Sequence, residues 1–380
     1  MTPVAAHLYG ARRYREVGNV LHQGIWLALL LSLPGMALLR HADCLPGMAA
    51  MTPVVATKVY AYLDLLAWGV PAALLYRTFH AFCNAVGVPR VLMVIGVGNL
   101  ALHAVLAWGL ALAGWAGQPL GIIGCAWSTV VVGWAASLAG ALYLGLGVPV
   151  RRFPGLLQWD RPRWSLWREL LRLGVPMGLS NLVEITAFTL VALFVAPLGA
   201  EIVAGHRIVA NLAALCYMLP LSLAIATLSA VGQAAGAKDW GRARHHAAAG
   251  ALLAGVTSTG LGLVLWWAAD PLVALYTDNP VVRKVAVGLV IYIALYQVVD
   301  ALQTVAGYVL RAYRVTVLPM LVQTLCFWGV GLGGGWWLCY RWTPPLGVDG
   351  FWIASVLSLV LAAVLLGGLL RRTMLGRECG

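Results

Sequence analysis

An all-α protein that crosses a membrane about ten times, built as two parallel-repeat helical lobes, is the fold class the sequence predicts, on three observations. The 380 residues are 62% hydrophobic and only 10% charged, with a mean hydropathy of +0.87, which excludes a soluble domain. Apolar runs long enough to span a ~30 Å hydrocarbon core recur along the chain, bounded by charge, Gly or Pro. Two short motifs also repeat at one offset: PLGIIG at Pro119 to Gly124 returns as PLGVDG at Pro345 to Gly350, and Gly10-Ala11 returns as Gly236-Ala237, both 226 positions later (345 − 119; 236 − 10). Two anchors at a common offset mark a duplicated unit. The mapped loops fall on the same side of the membrane, so the halves read as parallel repeats.

In chain order, the opening MTPVAAHLYGARRYRE turns polar before any apolar core forms, so it does not read as a signal peptide. The apolar runs then place spans near residues 21–40, 54–84, 91–114, 121–146, 174–196, 205–233, 247–269, 285–310, 316–338 and 351–370. Alternating sides along these ten spans gives eighteen Lys or Arg to one side and five to the other. The positive-inside rule makes the richer side cytoplasmic and both termini cytoplasmic. The net charge of +12 is thereby accounted for without a nucleic-acid partner. Residues 147–173 form the one long connection, rich in Arg and Trp, whose end RWSLWRELLRL reads as an amphipathic helix on the inner membrane surface. The expected organisation is thus an N-terminal lobe over 1–150 with about four spans, a cytoplasmic linker over 151–173, and a C-terminal lobe of six spans over 174–380. Seven cysteines without a CxxC pair, most of them inside apolar runs, read as small core residues.

Chemistry is concentrated on two spans of the second half. Glu184 is the single carboxylate in the run from Gly174 to Pro197, and Asp300 the single acid between Val285 and Leu310. An ionised side chain at the bilayer centre costs at least ~2.5 kcal/mol, so such residues face an internal cavity and mark a pathway. Ser180, Asn181 and Phe188 share the Glu184 face by three- and four-residue spacing, while Tyr292, Tyr296, Asp300 and Thr304 fall four apart with Gln303 three beyond the acid. Each acid lies ten residues from the cytoplasmic end of its run, about 15 Å at 1.5 Å per residue, near the middle of the membrane. Two midplane carboxylates with a tyrosine one turn outward suit a small cation, with Glu184 and Asp300 the candidate ligands for Na⁺, or a proton. Their alternative reading is as hydrogen-bonded structural residues. Asn211, His206 and Gln233 are further polar groups within spans, and Asp64 reads as an outer-interface acid. Arg207, opening its span, reads as snorkelling to the outer surface.

The segments GVPMGLSNLVEITAF, GHRIVANLAALCYMLPLSLAIATLSAVGQAAGAKDWGRAR and YQVVDALQTVAGYVLRAYR resemble the multidrug and toxic compound extrusion (MATE) family, in its bacterial NorM-like branch, and the likeness runs through essentially the whole chain. The resemblance implies twelve helices in two six-helix lobes around a central cavity, exporting bulky, often cationic compounds in exchange for Na⁺ or H⁺ across a bacterial inner membrane. Glu184, Tyr296 and Asp300 coincide with the family's cation-binding acids and tyrosine, and Phe188 with an aromatic of its drug-binding wall. Asn181, Asn211, Tyr292 and Gln303 are expected to line the same cavity. Membrane lipid and cationic small molecules are the expected partners, the chain is expected to act as a monomer, and no cofactor or enzymatic activity is implied. Set against twelve helices, the first and most of the second are expected to be missing, so that an inactive N-terminally truncated exporter is one alternative. A flippase for lipid-linked precursors is another, disfavoured by the acids, because a pyrophosphate would want a cationic cavity. An intramembrane enzyme finds no catalytic spacing in the spans.

Overall fold

Helices account for nearly all of the regular structure in the computed structural model, which describes residues 1–42, 52–115, 117–146, 153 and 160–376. In order they are α1 (Thr2–Gly10), α2 (Tyr14–Arg40), α3 (Pro53–Ala67), α4 (Gly69–Ala85), α5 (Pro89–Ala111), α6 (Ile122–Leu146), α7 (Trp164–Val195), α8 (Ala200–Gly236), α9 (Trp240–Trp267), the short α10 (Ala269–Ala274), α11 (Pro280–Ala312), α12 (Val317–Tyr340) and α13 (Val348–Gly376). Among the described residues nine are long and apolar enough to cross a membrane, or ten when α3 and α4 count as one bent span. The protein is a multi-pass membrane protein.

Local chemistry sets the boundaries. Proline occupies the first turn of α3, α5 and α11, where its missing N–H is an orphan in any case. Asn279 caps α11, its Oδ1 accepting from Val281 N at 2.9 Å, and Asp239 caps α9, its Oδ1 accepting from Arg242 N at 2.9 Å. The 43° bend between α3 and α4 falls just before Pro71, which removes a helix hydrogen bond. The indole of Trp134 donates to the Trp68 carbonyl at the bend, at 3.1 Å.

Two compact units divide at Leu170 and Leu171. In the first, α4 packs on α2 and α6, and α5 on α6; in the second, α11 packs on α9 and α13, and α12 on α13. The repeat extends to backbone detail. Arg12 and Lys238 both adopt a left-handed conformation (φ 59° and 60°), as do Gly121 and Gly347 (φ 55° and 59°), each pair 226 positions apart. Pro53 and Ala85 bound the bent α3–α4 span as Pro280 and Ala312 bound α11, an offset of 227 at both ends.

One expectation is corrected. Trp164–Val195 is one continuous helix of 32 residues, not a surface helix followed by a fresh span at Gly174. A helical Gly costs only about 1 kcal/mol, and Pro176 removes a single hydrogen bond, too little to separate the two stretches. The remainder of the expected linker lies mostly outside the described residues, but Asp160 to Arg163 are tied to α2: buried Gln23 donates to the Arg161 carbonyl and accepts from Arg163 N, both at 2.8 Å. The middle of α12, Leu325–Gly334, winds as a π-helix, where four glycines in ten residues weaken the preference for α geometry. Arg311, counted above among the cytoplasmic basic residues, is 5% exposed.

Candidate functional site

The second unit carries a cluster of polar groups, buried on α11 and half-buried at Glu184 of α7 and Tyr217 of α8. Asp300 is 8% exposed and its Oδ1 accepts from Gln303 Nε2 at 3.1 Å. The same amide also donates to Thr304 Oγ1, at 3.0 Å. The Tyr217 side chain lies beside Thr304 and the Glu184 carboxylate. A run of polar side chains thus extends Asp300, Gln303, Thr304, Tyr217, Glu184, hydrogen-bonded from Asp300 to Thr304, and the two carboxylates lie within electrostatic reach of one another. Four-residue spacing on α11 stacks the rungs, and eleven-residue spacing puts Tyr217 on the same face of α8 as His206.

Arg311 closes the arrangement. Its guanidinium lies 4.4 Å from the Tyr308 ring centroid, donates to Asn181 Oδ1 at 3.4 Å and acts electrostatically on Glu184. Trp328, in the π-helical segment, donates to the carbonyl of Val183, at 3.2 Å, one residue before the acid.

The structure brings Glu184, Asp300 and Gln303 together, with Tyr296 one turn from Asp300 and buried; Asn181 joins through Arg311. The other expected residues sit apart. Tyr292 is half-buried and lies close to Asp349 of α13. Asn211 is exposed and its Oδ1 accepts from the Tyr276 hydroxyl at 2.8 Å. Phe188 is 49% exposed. Asp64 pairs with Arg40 at 3.0 Å, and Arg207 is exposed, as snorkelling requires. Tyr217 and Arg311 are site residues that sequence reasoning missed. The signal for Tyr217 was present, since a tyrosine among leucines and alanines brings a hydroxyl that needs a partner.

Chemically, the cluster offers carboxylate, hydroxyl and amide oxygens, a set that suits a monovalent cation or a proton, with the Arg311 guanidinium balancing part of the charge on the Glu184 side. In low dielectric, two nearby carboxylates repel strongly, and one bound positive charge relieves both.

A model of the MatE family matches residues 1–108 and 176–337. A probable multidrug resistance protein NorM of Aromatoleum aromaticum is 49% identical over 379 residues, 98% of this chain and 81% of that protein. The multidrug resistance protein NorM of Aliivibrio fischeri is 33% identical over 369 residues, 96% of this chain and 80% of its own length. These shares do not say which of the family's helices the chain has or lacks. Among solved structures, an outward-facing MATE family transporter of the MOP superfamily superposes with a TM-score of 0.90 over 100% of this chain and 83% of that one, at 19% identity. The eukaryotic MATE transporter AtDTX14 gives 0.87 over 99% of this chain and 84% of its own, also at 19%. At that identity these two speak for the fold.

Proposed function

The chain belongs to the MatE family, and we propose on that premise that it is an antiporter of the bacterial inner membrane, exporting bulky, often cationic compounds in exchange for Na⁺ or H⁺. The observation that carries the reading is the run of polar side chains from Asp300 through Gln303, Thr304 and Tyr217 to Glu184 inside the membrane-spanning helices of one unit. The naming of its relatives as multidrug resistance proteins supports the choice of cargo.

The mechanism follows from charge. With no cation bound, Glu184 and Asp300 repel, and the state that hydrates them is favoured; a cation or proton arriving between them removes the repulsion and favours the state that encloses them. Tyr217 and Gln303 hold the acids in register, so that a single charge is felt at both. Exchange results if cargo prefers the state that the cation disfavours, because a ligand that binds both states equally shifts neither. A cationic cargo is attracted by the same negative focus and competes for it. Both termini of this sequence are assigned to the cytoplasm by the basic loops, and the working unit is taken as a monomer.

The test is Asp300→Asn. Cation-driven efflux of an aromatic cationic dye from vesicles carrying the protein is expected to vanish at every cation concentration; efflux equal to the parent's would remove the site assignment.

A further inference from the structure

A second polar group in the same unit has no place in the cluster above. Asp349 opens α13, half-buried, in the turn PLGVDG, and its carboxylate lies close to the Tyr292 hydroxyl of α11. One turn along, Tyr296 of α11 stacks on Trp352 of α13, with ring centroids 6.2 Å apart and planes 9° from parallel. His206 of α8 leans on the other ring contact of Trp352, at 5.7 Å. His206 and Trp352 are 4% and 3% exposed, yet His206 Nδ1 and Trp352 Nε1 find no hydrogen-bond partner among the described residues. Buried polar atoms left in that condition cost of the order of 1–3 kcal/mol each, and point to a polar visitor. Tyr296 is the last rung before Asp300. The titratable and charged groups facing this route are Tyr292 and Tyr296 on α11, His206, Arg207 and Cys216 on α8 and Cys339 on α12, whose backbone N lies against Gly350.

The internal repeat separates a functional ladder from a structural one. The first unit builds the same turn, with the same left-handed glycine, as PLGIIG. There Ile123 stands for Asp349 and Ala126 for Trp352 (offset 226). On the matching span Leu65 stands for Tyr292, Gly69 for Tyr296 and Ala73 for Asp300 (offset 227). Every rung is apolar where the fold is kept and the acid site is not. The turn therefore does not need its carboxylate, and the rungs travel with Asp300.

We propose that Asp349 and Tyr292 form an entry port for the coupling cation, from which Tyr296, Trp352 and His206 lead to Asp300. A carboxylate and a phenol oxygen receive Na⁺ or a proton arriving from the sparsely basic side of the membrane. The faces of Tyr296 and Trp352 accommodate a partly desolvated cation in passage, and the free nitrogen of His206 accepts a proton. The proposal rests on the coupling-site reading of Asp300 and on the sidedness the basic loops assign.

The port is tested by the dependence of dye efflux on cation concentration, Na⁺ and pH varied separately, on the side where Asp349 opens. Asp349→Asn is expected to raise the half-saturating cation concentration roughly tenfold, with the maximal rate within about twofold of the parent's. Tyr292→Phe is expected to raise it by a smaller factor, about threefold, and covers the case of an Asp349 variant that fails to assemble. Asp300→Asn, measured beside them, is expected to be inactive throughout. If Asp300→Asn is inactive while Asp349→Asn and Tyr292→Phe keep the parent's half-saturating concentration, the port is wrong and the coupling site stands. Parent efflux that ignores the external cation would overturn both.

Discussion

Arg311 is the residue whose environment most changes how the acid site must work. A guanidinium 5% exposed, stacked on Tyr308 and bonded to Asn181, places permanent positive charge on the Glu184 side of the cluster. It stabilises the empty, doubly charged site and opposes a second cation. Arg311→Gln is therefore expected to lower the half-saturating cation concentration severalfold, the effect of removing ~1 kcal/mol of charge repulsion, and to slow turnover because release becomes the harder step. Arg311→Lys, which keeps the charge, is expected to stay near the parent; the cation dependence of dye efflux measures both. Legibility at this scale followed cost. Glu184 and Asp300 stood out because a lone acid in an apolar run is expensive. Arg311 did not, because a basic residue at the end of a span is what membrane topology calls for anyway. Tyr217 did not, because a tyrosine is cheap in an apolar helix and the polar groups beside it belong to helices far away in sequence.

Helix by helix, most of the architecture was readable. Apolar length and flanking Pro, Gly and charge located every span, while the merged helix Trp164–Val195 and the π-helical stretch Leu325–Gly334 were not readable. Both depend on small backbone energies that packing overrides, and composition does not record packing. The π-helix has a use: it sets Trp328 to hold the Val183 carbonyl beside Glu184, a geometry often found at functional sites. The tightest element contacts are where helices close on glycine. A Cβ on Gly350 would lie 2.8 Å from Cys339 N, and one on Gly124, its repeat partner, 2.7 Å from Ala111 N. Both obstacles are backbone, which cannot swing aside. Gly350→Ala and Gly124→Ala are each expected to destabilise their own unit by roughly 1–3 kcal/mol, read as a lowered midpoint of thermal unfolding in detergent. Gly260→Ala, where a Cβ meets nothing within 4 Å, is expected to hold or slightly raise the midpoint, by up to about 1 kcal/mol of helix propensity.

Across the whole molecule, duplication fixed the scaffold and divergence fixed the chemistry. The offset found in two short motifs predicts the paired left-handed residues Arg12 and Lys238, because a turn conserved in shape keeps its dihedrals even where its side chains differ. The same comparison puts Ala73 where the second unit has Asp300, and the proposed coupling site lies in the second unit. The direction of exchange then depends on which way the scaffold is inserted. The orientation proposed here rests on eighteen basic residues against five in short loops, where each charge resists translocation. The exposed Arg242, at the start of α9, belongs to the rich side, and the exposed Asp278, just before α11, to the poor side. With Arg242→Cys and Asp278→Cys made separately, a membrane-impermeant maleimide added to intact cells is expected to label the Asp278 variant above the parent's own cysteines. The Arg242 variant is expected to gain label only after the membrane is opened. The reverse pattern would put Asp349 on the cytoplasmic side, and the acids would then fill from within, so that an inward cation gradient could not drive export.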